Sequence, residues 1–466
     1  MSEIRGGDTL FGAKVAVSRA IGAASRASGR GGGTTLPGRV LLRLEPEAIA
    51  RLGSDLDRGA TVLSATNGKT TTAAMIAAIL AADGRHPVHN RAGSNMTWGV
   101  ATALLEQRGH EGLFEVDEAW LPRVTEQLDP SLIVLGNLFR DQLDRYGEME
   151  ALADEWAKTA AERAGRTGFV LNADDPLIAD LGRDASGEPR ERVVYFGIED
   201  DSQALPELQH AFDAKHCRRC GHAYSYARAF VGHLGHYSCP NCGAQRPRPD
   251  VAATSIELRG MDGSRSTIRT PEGEIELALP LPGLYNVYNA LAAVAAGLRL
   301  GVGRDRIASA LSEVRAAFGR VEGFEIGGVP VWLLLIKNPA GANEVLRTVR
   351  DSAGPDGKAD FWIGLNDRIA DGRDVSWIWD ADFEILAGSA RKVVCGGTRA
   401  AEMALRLKYA GWPADAIEVV PGIERSFDAA LGGAADGRLF ALPTYTALLE
   451  LRKLLSDRGL AREFWR

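Results

Sequence analysis

The octapeptide Ala65-Thr66-Asn67-Gly68-Lys69-Thr70-Thr71-Thr72 carries the residue types that hold a polyphosphate. It follows the apolar run Thr61 to Ser64 and precedes a helix-forming stretch, Ala73 to Ala82. A strand that turns sharply into a helix offers backbone N–H groups and the positive end of the helix dipole to an anion. At such a turn Lys69 reaches the β- and γ-phosphates, and the Thr70 hydroxyl ligates Mg²⁺. The general phosphate-loop pattern asks for glycine five residues before Gly68, where this chain has Leu63, so the match is to a variant form. A plain Asn-Gly surface turn is the bland alternative, and Gly-Lys-Thr-Thr between strand and helix argues against it. The expected ligand is ATP, with Thr66, Asn67, Gly68, Lys69, Thr70 and Thr71 around its phosphates.

The cysteines make a second constellation. Cys217 and Cys220 form one C-x₂-C pair, Cys239 and Cys242 another, and 18 residues lie between the pairs. Each pair makes a tight knuckle with two thiolates, and two knuckles close a tetrahedral Zn²⁺ site with no open position. The site is therefore expected to be structural, and zinc binding supplies enough free energy to fold a short insertion with little core of its own. His216, His222, His233 and His236 surround the cysteines but are expected at the surface, since four thiolates already complete the shell. Cys395, in the run Lys392-Val393-Val394-Cys395, reads as a small core residue.

Elements that could position these groups are legible in the chain. With 466 residues and 45% hydrophobic content, more than one domain with a large core is expected. A net charge of −7 disfavours a general nucleic-acid surface. The apolar stretches are far shorter than the ~20 residues that cross a bilayer, and the N-terminus lacks a signal peptide's apolar core, so a cytoplasmic location is expected. Strand candidates at 61–64, 132–136, 168–172 and 193–197 alternate with helical patterns, which implies a mainly parallel sheet covered on both faces. A hairpin is expected over 255–279. A second α/β alternation begins near Phe324, with strands at 331–336, 361–365, 393–396 and 439–442. Residues 1–50 hold a helical stretch and the glycine-rich run Gly29 to Thr34, which is expected to be mobile.

Five ordered segments carry a family resemblance: the phosphate loop, Asn137-Leu138-Phe139-Arg140-Asp141-Gln142-Leu143-Asp144, Leu171-Asn172-Ala173-Asp174-Asp175-Pro176, Leu281 to Ala290, and Gly319-Arg320-Val321-Glu322. Together they resemble the Mur ligases, which join an amine to a carboxylate through an acyl phosphate. Gln142 and Tyr285 replace histidines of the amino-acid-adding members. With the cysteine module and the segments Lys337 to Gly341 and Asp371 to Trp377, these departures narrow the resemblance to the MurT-type subunits of lipid II isoglutaminyl synthase. It implies an α/β architecture: an N-terminal helical and Gly-rich segment (1–50), a central Mur-ligase-like P-loop ATPase domain (51–322) with a zinc-ribbon insertion (209–250), and a Rossmann-like C-terminal domain (323–466).

The resemblance also implies roles. Glu115 joins Thr70 at Mg²⁺, with Glu118 the near alternative. Asn137 and Asp141 orient metal or substrate, and Asn286, Asn289 and Arg320 serve the nucleotide. Lys158 lies near a position that is a carbamylated lysine in some members, although an exposed helix lysine is the simpler reading. The implied reaction amidates the α-carboxylate of D-glutamate in the lipid II stem peptide, met at the inner face of the membrane. Its ammonia would come from a separate GatD-type glutamine amidotransferase in a heterodimer. Asp374, then Asp371, could orient the partner's histidine in a Cys-His-Asp arrangement, although either could simply cap a turn. Trp377 and Trp379 would share one strand face. The alternatives are an amino-acid-adding Mur or folylpolyglutamate-type ligase, and a non-catalytic ATP-binding protein using its ribbon as an interaction module.

Overall fold

Ala60–Ser64 is buried along its whole length, as expected of an apolar strand covered on both faces. In the computed structural model, which describes residues 6–27, 35–90, 94–141, 149–209, 212–315, 321–352, 357–434 and 437–460, it is the hub of the largest of three sheets. The strands of the first half are β1 (Ala60–Ser64), β2 (Val88–His89), β3 (Gly112–Glu115), β4 (Leu132–Leu135), β5 (Gly168–Asn172) and β6 (Val193–Ile198). The cysteine module contributes the separate pair β7 (Ser225–Val231) and β8 (Leu234–Ser238), and β9 (Val251–Leu258), β10 (Ser264–Thr270) and β11 (Gly273–Leu279) follow. The order is β11-β10-β9-β6-β5-β4-β1-β3-β2, parallel from β9 to β2 and antiparallel through the β9–β11 meander. The hairpin expected over 255–279 is thus part of a three-stranded edge.

After β1 the chain lays β2 and β3 on one side and β4 on the other, so the carboxyl end of β1 is a topological switch point, where open α/β sheets bind ligands. Helices Lys69–Ala82 and Leu284–Arg299 cover one face through Ile76, Ile79, Leu291 and Val294. Thr97–Glu106, Leu121–Leu128 and Met149–Glu162 cover the other. The helix Leu36–Leu44 crosses Thr97–Glu106 so closely that a Cβ at Gly38 would fall 1.9 Å from the Trp98 carbonyl oxygen.

The second large sheet contains β12 (Val321–Ile326), β13 (Val329–Leu334), β14 (Ala359–Gly364), β15 (Ala390–Gly396), β16 (Ile417–Val419) and β17 (Leu439–Pro443), in the order β12-β13-β17-β14-β15-β16. Apart from the antiparallel edge β12 it is parallel, with Pro339–Arg350 and Ala400–Tyr409 on one face and Ile423–Gly433 and Tyr445–Asp457 on the other. Cys395 is fully buried here, and burial pushes its thiol up to about 12. Trp377 and Trp379 do not share a strand: Ser376–Trp379 is a 3₁₀ turn, with Trp379 47% exposed. The run 29–34, Gln142 and Arg320 lie outside the described residues. Among those described, no helix is long and apolar enough to cross a membrane.

Candidate active site

Gly68 caps the helix Lys69–Ala82 with φ +90°, and no side chain caps that N-terminus. The first N–H groups of an α-helix have no partner within it, so this end is suited to an anion. The loop is fixed from the neighbouring strand. Asn67 N donates to Asn137 Oδ1 at 2.9 Å, Asn137 Nδ2 donates to Asn67 O at 3.0 Å, and Phe139 N donates to Thr66 Oγ1 at 3.0 Å.

The charged groups converge from successive strand ends. Thr70 Oγ1 donates to Glu115 Oε1 at 3.0 Å, while Lys69 Nζ meets Glu118 Oε2 at 2.8 Å. Lys69 and Glu118 are both buried. Burial pulls the Lys69 ammonium down, but Glu118, Asp117 and Glu115 more than offset it and its pKa ends above the usual lysine value. Burial likewise pushes Glu118 up, and Lys69 and Lys337 overcome it, leaving the carboxylate below its ordinary value. Asn90 places Glu115 by accepting from its N–H at 2.9 Å and donating to its carbonyl at 2.7 Å.

On the other side of the loop, Thr72 Oγ1 donates to Asn289 Oδ1 at 3.2 Å and Asn289 Nδ2 to Asn286 Oδ1 at 3.0 Å. Asn289 thus reaches the loop, whereas Asn286 acts through it and bonds Pro282 O at 2.8 Å. The smaller α/β unit completes the cleft. The amides of Asn67 and Asn338 bond reciprocally at 3.2 and 3.0 Å, and Lys337 Nζ lies 2.6 Å from Asp141 Oδ2 and 3.2 Å from Thr66 O. A cleft of about 770 Å³ results, lined by Asn67, Gly68, Thr71, Asn137 and Asn289 together with Lys337 and Glu344.

A second cleft of about 570 Å³ adjoins it, with Asp141 and Lys337 in its wall beside Arg140, Asp371, Asp374 and Asp380. The two candidate acids differ. Asp371 is buried and accepts from Thr446 N at 2.7 Å, from the Thr446 hydroxyl and from Arg368 N at 3.2 Å, so it organises its turn; burial raises its pKa. Asp374 is exposed, and the backbone N–H of Ser376 at 2.8 Å holds its carboxyl below the usual range.

The four cysteines gather at the far end of β7 and β8, their Sγ atoms all within 4.8 Å of one another. Cys217 and Cys242 are 3.6 Å apart and Cys220 and Cys239 3.4 Å. Zn–S bonds of about 2.3 Å in a tetrahedron place sulfurs about 3.8 Å apart, so the set fits zinc. No histidine joins this cluster among the described residues. His233, expected at the surface, is fully buried with its ring 4.7 Å from that of Phe139. Lys158 is an exposed helix residue paired with Glu155.

Sequence reasoning missed Asn338 as a partner of the loop and Asn90 as the residue that places Glu115. Asn338 precedes Pro339 at a helix start, and its side chain caps Gly341 N at 2.9 Å, an N-cap signal readable in the chain. Nothing in the sequence around Asn90 announces its bond to Glu115.

Comparison with known proteins agrees with this geometry. The Mur ligase middle domain profile matches residues 64–244 and the MurT ligase C-terminal profile residues 335–448. The MurT subunit of the glutamine-hydrolysing lipid II isoglutaminyl synthase of Streptococcus pneumoniae is 34% identical over 439 residues, 93% of this chain and 94% of that one. Its Staphylococcus aureus counterpart is 32% identical over 93% and 95%. A pseudomurein peptide ligase type C from Methanothermus fervidus superposes with a TM-score of 0.68 at 23% identity, covering 88% of this chain and 80% of that one. A phosphate loop gripped by a second α/β unit, a four-cysteine insertion and identity over almost the whole length converge, and the chain belongs to the MurT family of Mur-ligase-like subunits of lipid II isoglutaminyl synthase.

Proposed function

We propose that this chain is the ATP-dependent subunit that amidates the D-glutamate α-carboxylate of the lipid II stem peptide, in peptidoglycan synthesis. The observation that carries the reading is the convergence of Lys69, Thr70, Glu115 and Glu118 on one loop, clasped by Lys337 and Asn338 of the smaller α/β unit. A scaffold that merely bound a partner would not need this set. A carboxylate oxygen attacks the γ-phosphorus, the bond to the ADP oxygen breaks, and an acyl phosphate forms. Ammonia then adds at the acyl carbon, the carbon–oxygen bond to phosphate breaks and one proton leaves, giving the carboxamide and phosphate.

The residues divide this labour. The loop N–H groups and Lys69 hold the polyphosphate and neutralise charge that develops on transfer. Thr70 and Glu115 are the groups that would hold Mg²⁺, which would supply positive charge to the phosphates during transfer. Lys337, fixed by Asp141, stands at the junction of the two clefts, where a positive charge would steer the substrate carboxylate. Zinc held by Cys217, Cys220, Cys239 and Cys242 would be structural, since no ligand position is left open.

Ammonia would come from a GatD-type glutaminase in a heterodimer, with Asp374 the acid offered to it, because Asp374 is exposed and ionised while Asp371 is consumed by Thr446. The enzyme would work in the cytoplasm, at the inner membrane face where its lipid-linked substrate lies. The deciding experiment is mass spectrometry of lipid II incubated with this chain, a glutaminase subunit, ATP, Mg²⁺ and glutamine, with Lys69→Ala as control. Conversion of carboxylate to carboxamide that requires ATP and Lys69 is expected. A product heavier by an amino-acid residue would instead place the chain among the adding ligases. Asp374→Asn should abolish glutamine-supported amidation and spare ammonia-supported amidation, and loss of both would refute its assignment to the partner.

A further inference from the structure

The hairpin that closes the cysteine module reaches into the nucleotide cleft. Val231 pairs with Leu234, leaving Gly232-His233 as a two-residue turn in which Gly232 takes φ +53°. The turn is not a solvent-facing loop: Phe230, Val231, His233 and Leu234 are all at most 4% exposed, and Phe230, Val231 and Leu234 belong to the core of the larger sheet. Anchors hold it on several sides. His233 packs on Phe139, whose N–H binds Thr66 of the phosphate loop. Gly235 N donates to Asp174 O at 2.8 Å, Gly232 N to Gln209 Oε1 at 2.8 Å, and Arg347 of the smaller α/β unit to Phe230 O at 2.7 Å. Val231 and Leu234 line the same cleft as Gly68 and Asn289, beside Tyr288, whose hydroxyl is fixed by Asp174 Oδ2 at 2.7 Å. The cysteines lie at the opposite end of β7 and β8, roughly 17–20 Å away at the rise of a strand.

We infer that the Val231–Leu234 turn is the base-side wall of the ATP pocket, and that metal loading at the four cysteines is thereby linked to nucleotide affinity. The inference rests on the reading of this cleft as the ATP site. Gly68 and its helix take the phosphates, so the apolar side chains of the cleft are left for the heterocycle, which gains by leaving water. An isolated two-stranded hairpin is marginal, so this one depends on its clamps: the core at the tip and the metal at the knuckles. Releasing the metal frees one clamp and lowers the fraction of chains with the wall in place, and apparent affinity falls with that fraction. By reciprocity ATP tightens the metal by the same factor.

The test titrates the full chain, with Mg²⁺, against a fluorescent ATP analogue labelled on the ribose, and measures zinc content and its release to a chelator with and without ATP. Val231→Ala removes two methyl groups from the wall and should weaken ATP about tenfold with zinc content unchanged. Cys220→Ser should lose zinc and weaken ATP, and in the wild type ATP should slow zinc release. If Val231→Ala binds like wild type while Lys69→Ala loses binding, the cleft still holds ATP but the wall is wrong. If zinc release is indifferent to ATP, the linkage is wrong even should Cys220→Ser fail to fold. If Lys69→Ala binds as tightly as wild type, the ATP reading itself fails and the inference with it.

Discussion

Two glutamates three residues apart divide the work at the phosphate loop. Glu115 faces the Thr70 hydroxyl, whereas Glu118 neutralises Lys69 in a buried pair. Glu115→Gln should therefore raise the Mg²⁺ concentration needed for half-maximal turnover by at least tenfold, with the fold intact, as a Mg²⁺ titration of ATP consumption would reveal. Glu118→Gln should act on stability, because it strands a buried ammonium at a cost of about 3–5 kcal/mol. Mg²⁺-ATP, which supplies Lys69 with new anionic partners, should restore much of the lost melting temperature; equal losses with and without nucleotide would contradict this division. Lys69 and Thr70 were legible in the chain because the loop is local and its spacing is the chemistry. Asn338 was not, because it meets Asn67 across 271 residues of sequence, and no local pattern encodes such a contact. The acids near Asp374 were legible as a cluster, but only burial separates a turn-organising Asp371 from an outward Asp374.

At the scale of elements, the loop works because its turn can approach the helix Leu284–Arg299. A Cβ at Gly68 would lie 2.0 Å from Asn289 Oδ1, and the positive φ is itself costly for other residues. Gly68→Ala should cost about 1–3 kcal/mol in strain and weaken ATP at least tenfold, while far-ultraviolet circular dichroism stays native. The cysteine module makes a prediction of its own. A thiol reagent at pH 8 should find no rapidly reacting cysteine in the zinc-loaded chain and four after chelation. The fifth, Cys395, should react only on unfolding, since burial holds its thiol near 12; fast labelling of all five in the native chain would contradict both assignments. Strands such as β5 and β14 were readable because continuous apolar runs bounded by turns are what a doubly covered sheet requires. The two-residue β2 and the three-residue β16 were not, since pairing with a longer neighbour creates them. His233 was misjudged for a related reason: a histidine in a hairpin turn looks exposed until another element closes over it.

At the scale of the whole molecule, the helix Pro339–Arg350 joins the two α/β units to the cysteine module, and a charge pair between a half-buried arginine and a buried glutamate sits on that joint. Arg347 binds Glu344 at 2.8 Å and the carbonyl of Phe230 at 2.7 Å. Burial raises the Glu344 pKa, and Arg347 pulls it down only in part, with Asp351 opposing and Arg350 assisting. A carboxyl whose folded pKa is raised contributes stability below its ordinary value near 4.3, and that contribution is lost as pH rises through the folded value. Arg347→Met removes the attraction and moves the folded value further up, so more stability is lost toward alkaline pH. The unfolding free energy of Arg347→Met should thus fall further below wild type at pH 8 than at pH 5, by about 1–3 kcal/mol at the higher pH, as denaturant melts would show. Adding Glu344→Gln to Arg347→Met should flatten the pH dependence, because no buried charge remains to be stranded. Loosening the joint also unpins the Val231–Leu234 turn, so Arg347→Met should bind ATP more weakly even at pH 5, where Glu344 is closest to neutral. A variant with unaltered ATP affinity and a wild-type pH profile would mean that the joint is held elsewhere, by the Asn67–Asn338 pair and the buried face of the helix alone.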